Sequence, residues 1–440
     1  MDYTAVSDWR VALYHTMTRE AAALMNILDG LLTAPTARRA IEVTLAPAFD
    51  RQYASFYQGL QQGRIDRPAL RRLYCQHLPA TPGTRLSLIL DASSVLRTDS
   101  PTARDRMAVH AANLPPGSKP IGIGWQYSLL AVAPPTPSSW TYYLAGTRIR
   151  TGTTPSRVGA IQVAAVLPYL PTRPVLLTDR HYGSAAFVLD PRLAGCDKLS
   201  RLQTHRVFYR PPPPRDPHRR GRPPTRGPRF QPKDPATHGP PTAIWSGTEA
   251  RGRHVTVRAW ADLCFAENPH HPITLLECAR QEGPHTKRDP RVIWLLWDSA
   301  VDPAPLPEVP DLYALRFSIE HGIRFDKQDL LWDEPRLRTG TFERWTDLML
   351  MAHNTLVLAR PCVAGVRLRW EGHADRPVTP AQVRRALAGI LPKLGTPAPP
   401  PQLRGKSPGR ACGFHPRPAK RYPVVRKGRP ASVHAPPPTR

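Results

Sequence analysis

Apolar residues recur at intervals of three and four through the first eighty positions, in ALYHTMTREAAALMNILDGLL and in PALRRLYCQHL. That period predicts amphipathic helices, with breaks at Thr33–Pro35 and Pro79–Gly83. From residue 85 the pattern changes to short apolar runs bounded by turn residues. RLSLILDASS, IGWQYSLLAVAP and SWTYYLAGTRI read as strands, PSRVGAIQVAAVLPYL as an amphipathic helix before Pro171, and RPVLLTD as a buried strand. A short helix (GSAAFVLDPRL) and a strand (KLSRLQTHRVFYR) follow. Residues 211–240 hold 11 prolines and seven Lys/Arg against two acids, too polar to bury a core, which predicts an extended or disordered loop. Strands return in TAIWSG, HVTVRAWADLCF, ITLLECA and RVIWLLWDSA. Next comes a helix opening at Asp311 and stopping before Pro335, then a second, TFERWTDLMLMAHNTLVLAR, with a core stripe of Phe342, Trp345, Leu348, Met349, Ala352 and Leu356. Gly322 costs the first of these about 1 kcal/mol relative to Ala, so that helix must rely on packing. From residue 396 the chain has ten Lys/Arg, 12 prolines and no acid, the composition of a disordered basic tail.

A chain of 440 residues with 41% hydrophobic content suffices for two or three domains. Its 61 Lys/Arg against 34 Asp/Glu leave a net charge of +27, which predicts a polyanionic partner, nucleic acid ahead of an acidic membrane surface. The abundance of Arg, Pro and Ala also suits a GC-rich coding sequence, so charge alone leaves the partner open. No run of about 18 apolar residues marks a membrane span, and the start lacks a cationic segment leading into an apolar one. The expectation is a cytoplasmic, nucleoid-associated protein without a membrane partner. The six cysteines form no CxxC pair and read as reduced thiols; His270 and His271, flanked by Pro269 and Pro272, read as an exposed turn.

One line of side chains changes the picture. In PDLYALRFSIEHGIRFDKQDLLWDEP, Tyr313, Arg316, Glu320 and Lys327 fall within about 60° of one another on a helix, so one face would carry hydroxyl, guanidinium, carboxylate and ammonium. Two upstream aspartates end apolar runs, Asp91 in RLSLILDASSVL and Asp179 in RPVLLTDRHYGSAAFV. Of the acids near Glu320, Asp326 and Asp329 lie on other faces of the wheel and Glu334 precedes Pro335. His181, two residues past Asp179, either helps near a reacting phosphate or packs as a cap.

Tyrosine, two residues, arginine, three residues, glutamate, six residues, lysine is a spacing that resembles the signature of the DDE transposases encoded by bacterial insertion sequences, and Asp91 and Asp179 stand where that family has its first two acids. The resemblance runs from about residue 85 to 360. It implies an α/β, ribonuclease-H-like catalytic core with a mostly β insertion, preceded by a helical N-terminal domain. The first and fourth core strands would lie side by side and bring Asp91 to Asp179. The division would be 1–80, a helical end-binding region; 85–210, the first part of the core; 211–300, the Pro/Arg-rich loop and β insertion; 301–361, the helical end of the core with the third acid; 362–395, a small C-terminal segment; and 396–440, the tail.

The resemblance further implies that Asp91, Asp179 and Glu320 are catalytic and hold two Mg²⁺ or Mn²⁺ ions for phosphoryl transfer in DNA. Tyr313, Arg316 and Lys327 would contact DNA near the cleaved end; alternatively Tyr313 packs in the core and Arg316 pairs with an acid. Partners would be double-stranded DNA, as element ends and target, and further copies of the chain in a dimer or larger synaptic complex. Arg38, Arg39, Arg71 and Arg72 are candidate phosphate contacts or simply a solvated helix surface. RRGRPP at 219–224 and RKGRPA at 426–431 share Gly-Arg-Pro, so Arg220, Arg222, Lys427 and Arg429 are DNA-binding candidates, by minor-groove insertion or by general phosphate attraction. Two other functions remain open: a non-catalytic DNA-binding descendant of such an enzyme, and another ribonuclease-H-like nuclease.

Overall fold

The computed structural model describes residues 3–79, 85–111, 119–213, 224–281, 290–363, 368, 370–371, 377–402, 405 and 409–425. Four helices lead, α1 (Thr4–His15), α2 (Ala21–Thr33), α3 (Ala54–Gln62) and α4 (Arg67–Gln76), with a two-stranded ribbon of β1 (Met17–Arg19) and β2 (Arg64–Ile65) between them. The apolar period of α2 is so complete that every residue from Ala23 to Thr33 is buried. Asp66 starts α4 by accepting from the Ala69 amide, with a proline in the first turn where its missing N–H costs nothing.

The core sheet follows: β3 (Ser87–Leu96), β4 (Met107–His110), β5 (Ile121–Val132), β6 (Tyr142–Ile149), helix α5 (Pro155–Val166), β7 (Val175–Thr178), the single turn α6 (Ala185–Val188) and β8 (Asp197–Arg201). Thr154 caps α5 by accepting from the Arg157 amide. Strand β5 pairs antiparallel with β3 on one side and with β6 and then β4 on the other, while β3, β7 and β8 run parallel. The order β6-β5-β3-β7-β8 is the expected ribonuclease-H order, with its first and fourth strands adjacent. Ser87 to Leu90 and all of β7 are buried, as strands covered on both faces must be.

The remaining strands are β9 (Phe208–Tyr209), β10 (Arg229–Phe230), β11 (Ala243–Thr248), β12 (His254–Phe265), β13 (Asn268–Arg280) and β14 (Val292–Asp298). They extend the same sheet, because β14 pairs antiparallel with β8. They also enclose a small core of their own around Phe208, Phe230, Trp260, Leu263 and Trp294, in which the two tryptophan rings stack 5.3 Å apart.

The chain closes with α7 (Val309–Ala314), a 3₁₀ turn (Leu315–Phe317), α8 (Ser318–Gln328), α9 (Thr339–Ala359) and α10 (Pro380–Leu394). Helix α9 carries the expected stripe, buried from Phe342 to Leu356, and its Asn354 amide exchanges two 2.8 Å hydrogen bonds with the Tyr143 backbone of β6. Against it pack α1, α2, α3 and α10. Trp9 donates to Thr355 Oγ1, and Arg384 of α10, almost fully buried, donates to the Leu31, Ala34 and Asp329 carbonyls. One apolar core thus joins the first helices to the last.

Several elements differ from the sequence reading. KLSRLQTHRVFYR divides into β8 and β9, and β4 was too short to register as a period. Helix α10 opens with a Thr379/Gln382 capping box and buries Val383, Leu387 and Leu391 at four-residue spacing, within a stretch read only as a small C-terminal segment. The tail, expected to be disordered, is ordered at its docking point: Tyr422 N–H donates to Pro101 O, Val425 N–H donates to Arg106 O, and Val425 bridges Met107 of β4. An unpaired sheet edge supplies those partners.

Candidate active site

The last pair in the parallel β3/β7 ladder is Leu90 with Thr178. One residue further on come Asp91, within β3, and Asp179, just past the end of β7. Their side chains are 18% and 24% exposed, so both sit at the lip of the sheet rather than inside it. The Asp91 carboxylate accepts from the Ala92 amide at 2.7 Å, and Asp179 accepts from the His181 amide at 2.9 Å. Burial raises the Asp91 pKa to about 6; Arg316 and the Ala92 amide oppose the rise, and the charges of Asp179 and Glu320 add to it. Three carboxylates therefore feel one another at this point.

The segment carrying the line of four side chains begins at Val309 rather than Asp311 and ends at Gln328, well short of Pro335. Asp311, expected as the cap, instead accepts from the Ala250 amide of the β11–β12 turn. The 3₁₀ turn breaks the regular wheel between Tyr313 and Glu320, and the four side chains take different environments. Tyr313 is buried, with the Arg316 guanidinium 5.9 Å from its ring centre. Arg316 is also buried and bridges two acids, 2.8 Å from Glu320 and 3.5 Å from Asp91. Although burial works against its charge, Tyr313, Asp91 and Glu320 raise its pKa further. Glu320 is half exposed. Lys327 donates to the Ser94 carbonyl of β3 at 2.6 Å and lies 3.9 Å from Asp333; burial lowers its pKa.

Arg316 thus joins Asp91 to Glu320, and Lys327 of α8 reaches β3 three residues beyond Asp91, at the Ser94 carbonyl. Both alternatives stated for Arg316 meet in one place, since the acids it pairs with are the candidate catalytic ones. Arg220, Arg222, Lys427 and Arg429 lie outside the described residues. His181 is exposed, its ring 3.9 Å from Asp179.

Sequence reasoning missed two features. Tyr182 is buried beside the aspartates, and its phenol pKa is raised well above the usual value by burial and then by Asp91 and Asp179. Its position next to Asp179 and His181 was the only signal. Beneath α8, Asp326 is fully buried and accepts from Tyr143 OH at 2.6 Å while its other oxygen lies 2.6 Å from His353 Nδ1. Gly322, one turn before Asp326, lets α8 sit directly on Thr141, Tyr143 and His353. The wheel put Asp326 off the Glu320 face; that it anchors the helix required the position of α9.

Oxygen-only donors suit a hard divalent cation. The raised Asp91 pKa marks a place where added positive charge would be favoured, and Arg316 supplies some of it. Among the described residues, no three His, Cys, Asp or Glu side chains close on a common point tightly enough to hold a metal as they stand. Asp91 and Asp179 each follow the Leu90–Thr178 pair by one residue, and Glu320 is ion-paired with Arg316.

No curated protein matches the chain. Among solved structures, it is similar to a piggyBac transposase in a cryo-EM synaptic complex with hairpin DNA, at 12% identity, with 92% of this chain and 84% of that chain covered and a TM-score of 0.40. A family model described as DDE superfamily endonuclease matches residues 12–262, taking in the N-terminal helices, both aspartates and the start of the insertion, and ending before Glu320. More than half of the chain is covered by that match, and the protein belongs to the DDE superfamily of endonucleases.

Proposed function

We propose that this protein is a DNA transposase of the insertion-sequence kind. It binds the terminal inverted repeats of its element, cuts DNA at their boundary and joins the freed ends to target DNA, acting as a dimer or larger synaptic assembly. The observation that carries the reading is the register that sets Asp91 beside Asp179, with Glu320 and Arg316 reaching the same point from α8 and its preceding turn.

Asp91, Asp179 and Glu320 would hold Mg²⁺ or Mn²⁺, which when bound stabilises the entering and leaving oxygens of an in-line phosphoryl transfer. The chain's own residues do the positioning. The parallel pair Leu90–Thr178 brings the chain to both aspartates, each of which follows it by one residue. Arg316 neutralises acids that would otherwise repel one another, and its planar fork suits a phosphate oxygen once Glu320 turns away. Lys327 adds a point charge further along the strand, where the DNA backbone would leave the site. The N-terminal helices and the basic segments around Arg220, Arg222, Lys427 and Arg429 would add contacts to the element ends.

The test is cleavage of a labelled duplex carrying the terminal repeat that borders the gene, with Mg²⁺ or Mn²⁺. Metal-dependent cutting at the repeat boundary is expected from the native chain and from none of Asp91→Asn, Asp179→Asn and Glu320→Gln, while Glu320→Gln keeps end binding within a few fold. Binding without cutting by the native chain would point to a non-catalytic descendant. Equal loss of binding and cutting in Glu320→Gln would make that residue structural.

A further inference from the structure

At the opposite end of the sheet from the β insertion, the docked tail closes over the start of α9 and leaves a cleft of about 560 Å³. Four cationic side chains line it: Arg104, Arg338, Arg417 and Lys420. Among the described residues none of the four has an acidic partner, whereas nearby Arg148 pairs with Asp105 and Glu343. Like charges gathered without an acid repel one another, an arrangement that becomes favourable only when an anion lies among them.

The cleft is built rather than incidental. Arg104 donates to Tyr422 OH at 2.6 Å, with its guanidinium 4.9 Å from the Tyr422 ring centre, and Lys420 lies 5.6 Å from the same ring. The Tyr422 backbone is held on both sides, donating to Pro101 O and accepting from Arg106 at 3.1 Å. Thr339 fixes the Arg104 backbone to the first residue of α9. That 21-residue helix has no acid in its first turn and no side chain capping it, and Thr339 and Gly340 of that turn line the cleft with the cations.

The cleft also lies along the edge that leads away from the candidate active site. Strand β3 runs from Asp91 to Leu96, roughly 17 Å. Arg97 then donates to the Asp333 and Pro335 carbonyls and ties the strand to the segment entering Arg338. A duplex carries one phosphate per strand about every 3.4 Å of its axis, so about five phosphates of each strand match the length of β3 beyond Asp91.

We propose that the cleft between the C-terminal tail and the start of α9 is a phosphodiester-binding site that grips the DNA backbone away from the cut, and that docking of Tyr422 assembles it. The inference rests on the functional reading above and adds to it a second, built contact with the same duplex. It accounts for the ordering of part of an otherwise acid-free, proline-rich tail, because the tail supplies half of the cations.

The experiment is the salt dependence of binding to the terminal-repeat duplex. The combined variant Arg104→Ala, Arg338→Ala, Arg417→Ala, Lys420→Ala is compared with a control lacking four exposed cations elsewhere, Lys119, Arg150, Arg157 and Lys393, each changed to Ala. Each phosphate contact contributes about 0.9 to the slope of log K against log salt, so the cleft variant should be shallower by about 2–4 and the control by clearly less. Tyr422→Ala, which removes no charge, should also flatten the slope, with the melting temperature of the folded protein as a check on each variant. Equal slopes in the cleft variant and the control would overturn the proposal, as would a native slope in Tyr422→Ala. Failure of the native chain to bind any duplex would instead refute the functional reading on which it stands.

Discussion

Gly322 gives the sharpest test of how α8 is held. An added Cβ would fall well inside 3.0 Å of Thr141 Oγ1 and 3.1 Å from Tyr143 OH, with His353 Cε1 behind at 3.6 Å. Thr141, just before β6, and Tyr143 on it are fully buried, and the Tyr143 hydroxyl is committed to Asp326, so the neighbours have little room to yield. In Gly322→Ala the helix itself must lift by roughly 1 Å, at an overpacking cost of about 1–3 kcal/mol. Alanine returns about 1 kcal/mol of helix propensity, leaving a net loss near 0–2 kcal/mol and a melting shift of at most about 4 °C. Glu320 lies two residues away and moves with the helix. A displacement of that size at a reacting group costs on the order of 100-fold in rate. Thermal melting and single-turnover cleavage, measured side by side with Gly389→Ala in α10, where nothing lies within 4 Å of the new Cβ, should show little loss of stability in either variant and a large loss of cutting only at 322. Native cleavage by a folded Gly322→Ala protein would refute the argument that close packing at this glycine sets the position of Glu320.

Removing Asp326 should be costlier to the fold. Asp326→Ala leaves His353 and Tyr143 buried with their polar atoms unmatched, which should lower stability by about 3–5 kcal/mol in urea unfolding; a loss under 1 kcal/mol would show that the pair carries no weight. Asp347 on α9, paired with Arg67 at the start of α4, has its pKa raised by burial from 3.8 to about 6 against the opposing pull of Arg67. Since the folded value is the higher one, its contribution to stability is full below pH 3.8 and is lost as pH rises through 6, an effect of about 3 kcal/mol that Asp347→Asn should remove. Parallel stability-against-pH curves for the two proteins would contradict this. Gly389 is exposed within α10 with nothing within 4 Å of a new Cβ, so Gly389→Ala should stabilise by about 0.4–1 kcal/mol in the same unfolding assay.

The strands next to the two aspartates were legible in the sequence because each contains a continuous apolar run that stops at an aspartate, although β3 continues past Asp91 to Leu96. Their pairing came from strand order rather than from either run. Glu320 and Lys327 were legible through spacing, yet the spacing assumed one unbroken helix; the 3₁₀ turn at Leu315–Phe317, which buries Tyr313 and swings Arg316 onto Asp91, has no marker in LRFS. The Asp326–His353–Tyr143 cluster was hidden for a different reason. Its members come from α8, α9 and β6, and each alone reads as a wheel position or a strand aromatic. The tail was misread because composition reports what a segment cannot bury, whereas Tyr422 and Val425 are held by backbone groups of a neighbouring edge.

The packing of α1–α3 against α9 and of α2 against α10 bears on how the protein is made. At about 5–20 residues per second, a ribosome needs roughly 15–60 s to pass from Thr33 to Thr339. Throughout that interval the apolar face of α2, including Leu24, Leu28 and Leu31, lacks the surface it covers in the finished molecule. The first helices cannot mature ahead of the nuclease core as a free-standing module, and a chain that stops before α9 leaves the ribosome with an open, sticky helix cluster instead of a competing DNA-binding fragment. The closed core can form only once α9 and α10 have both been made.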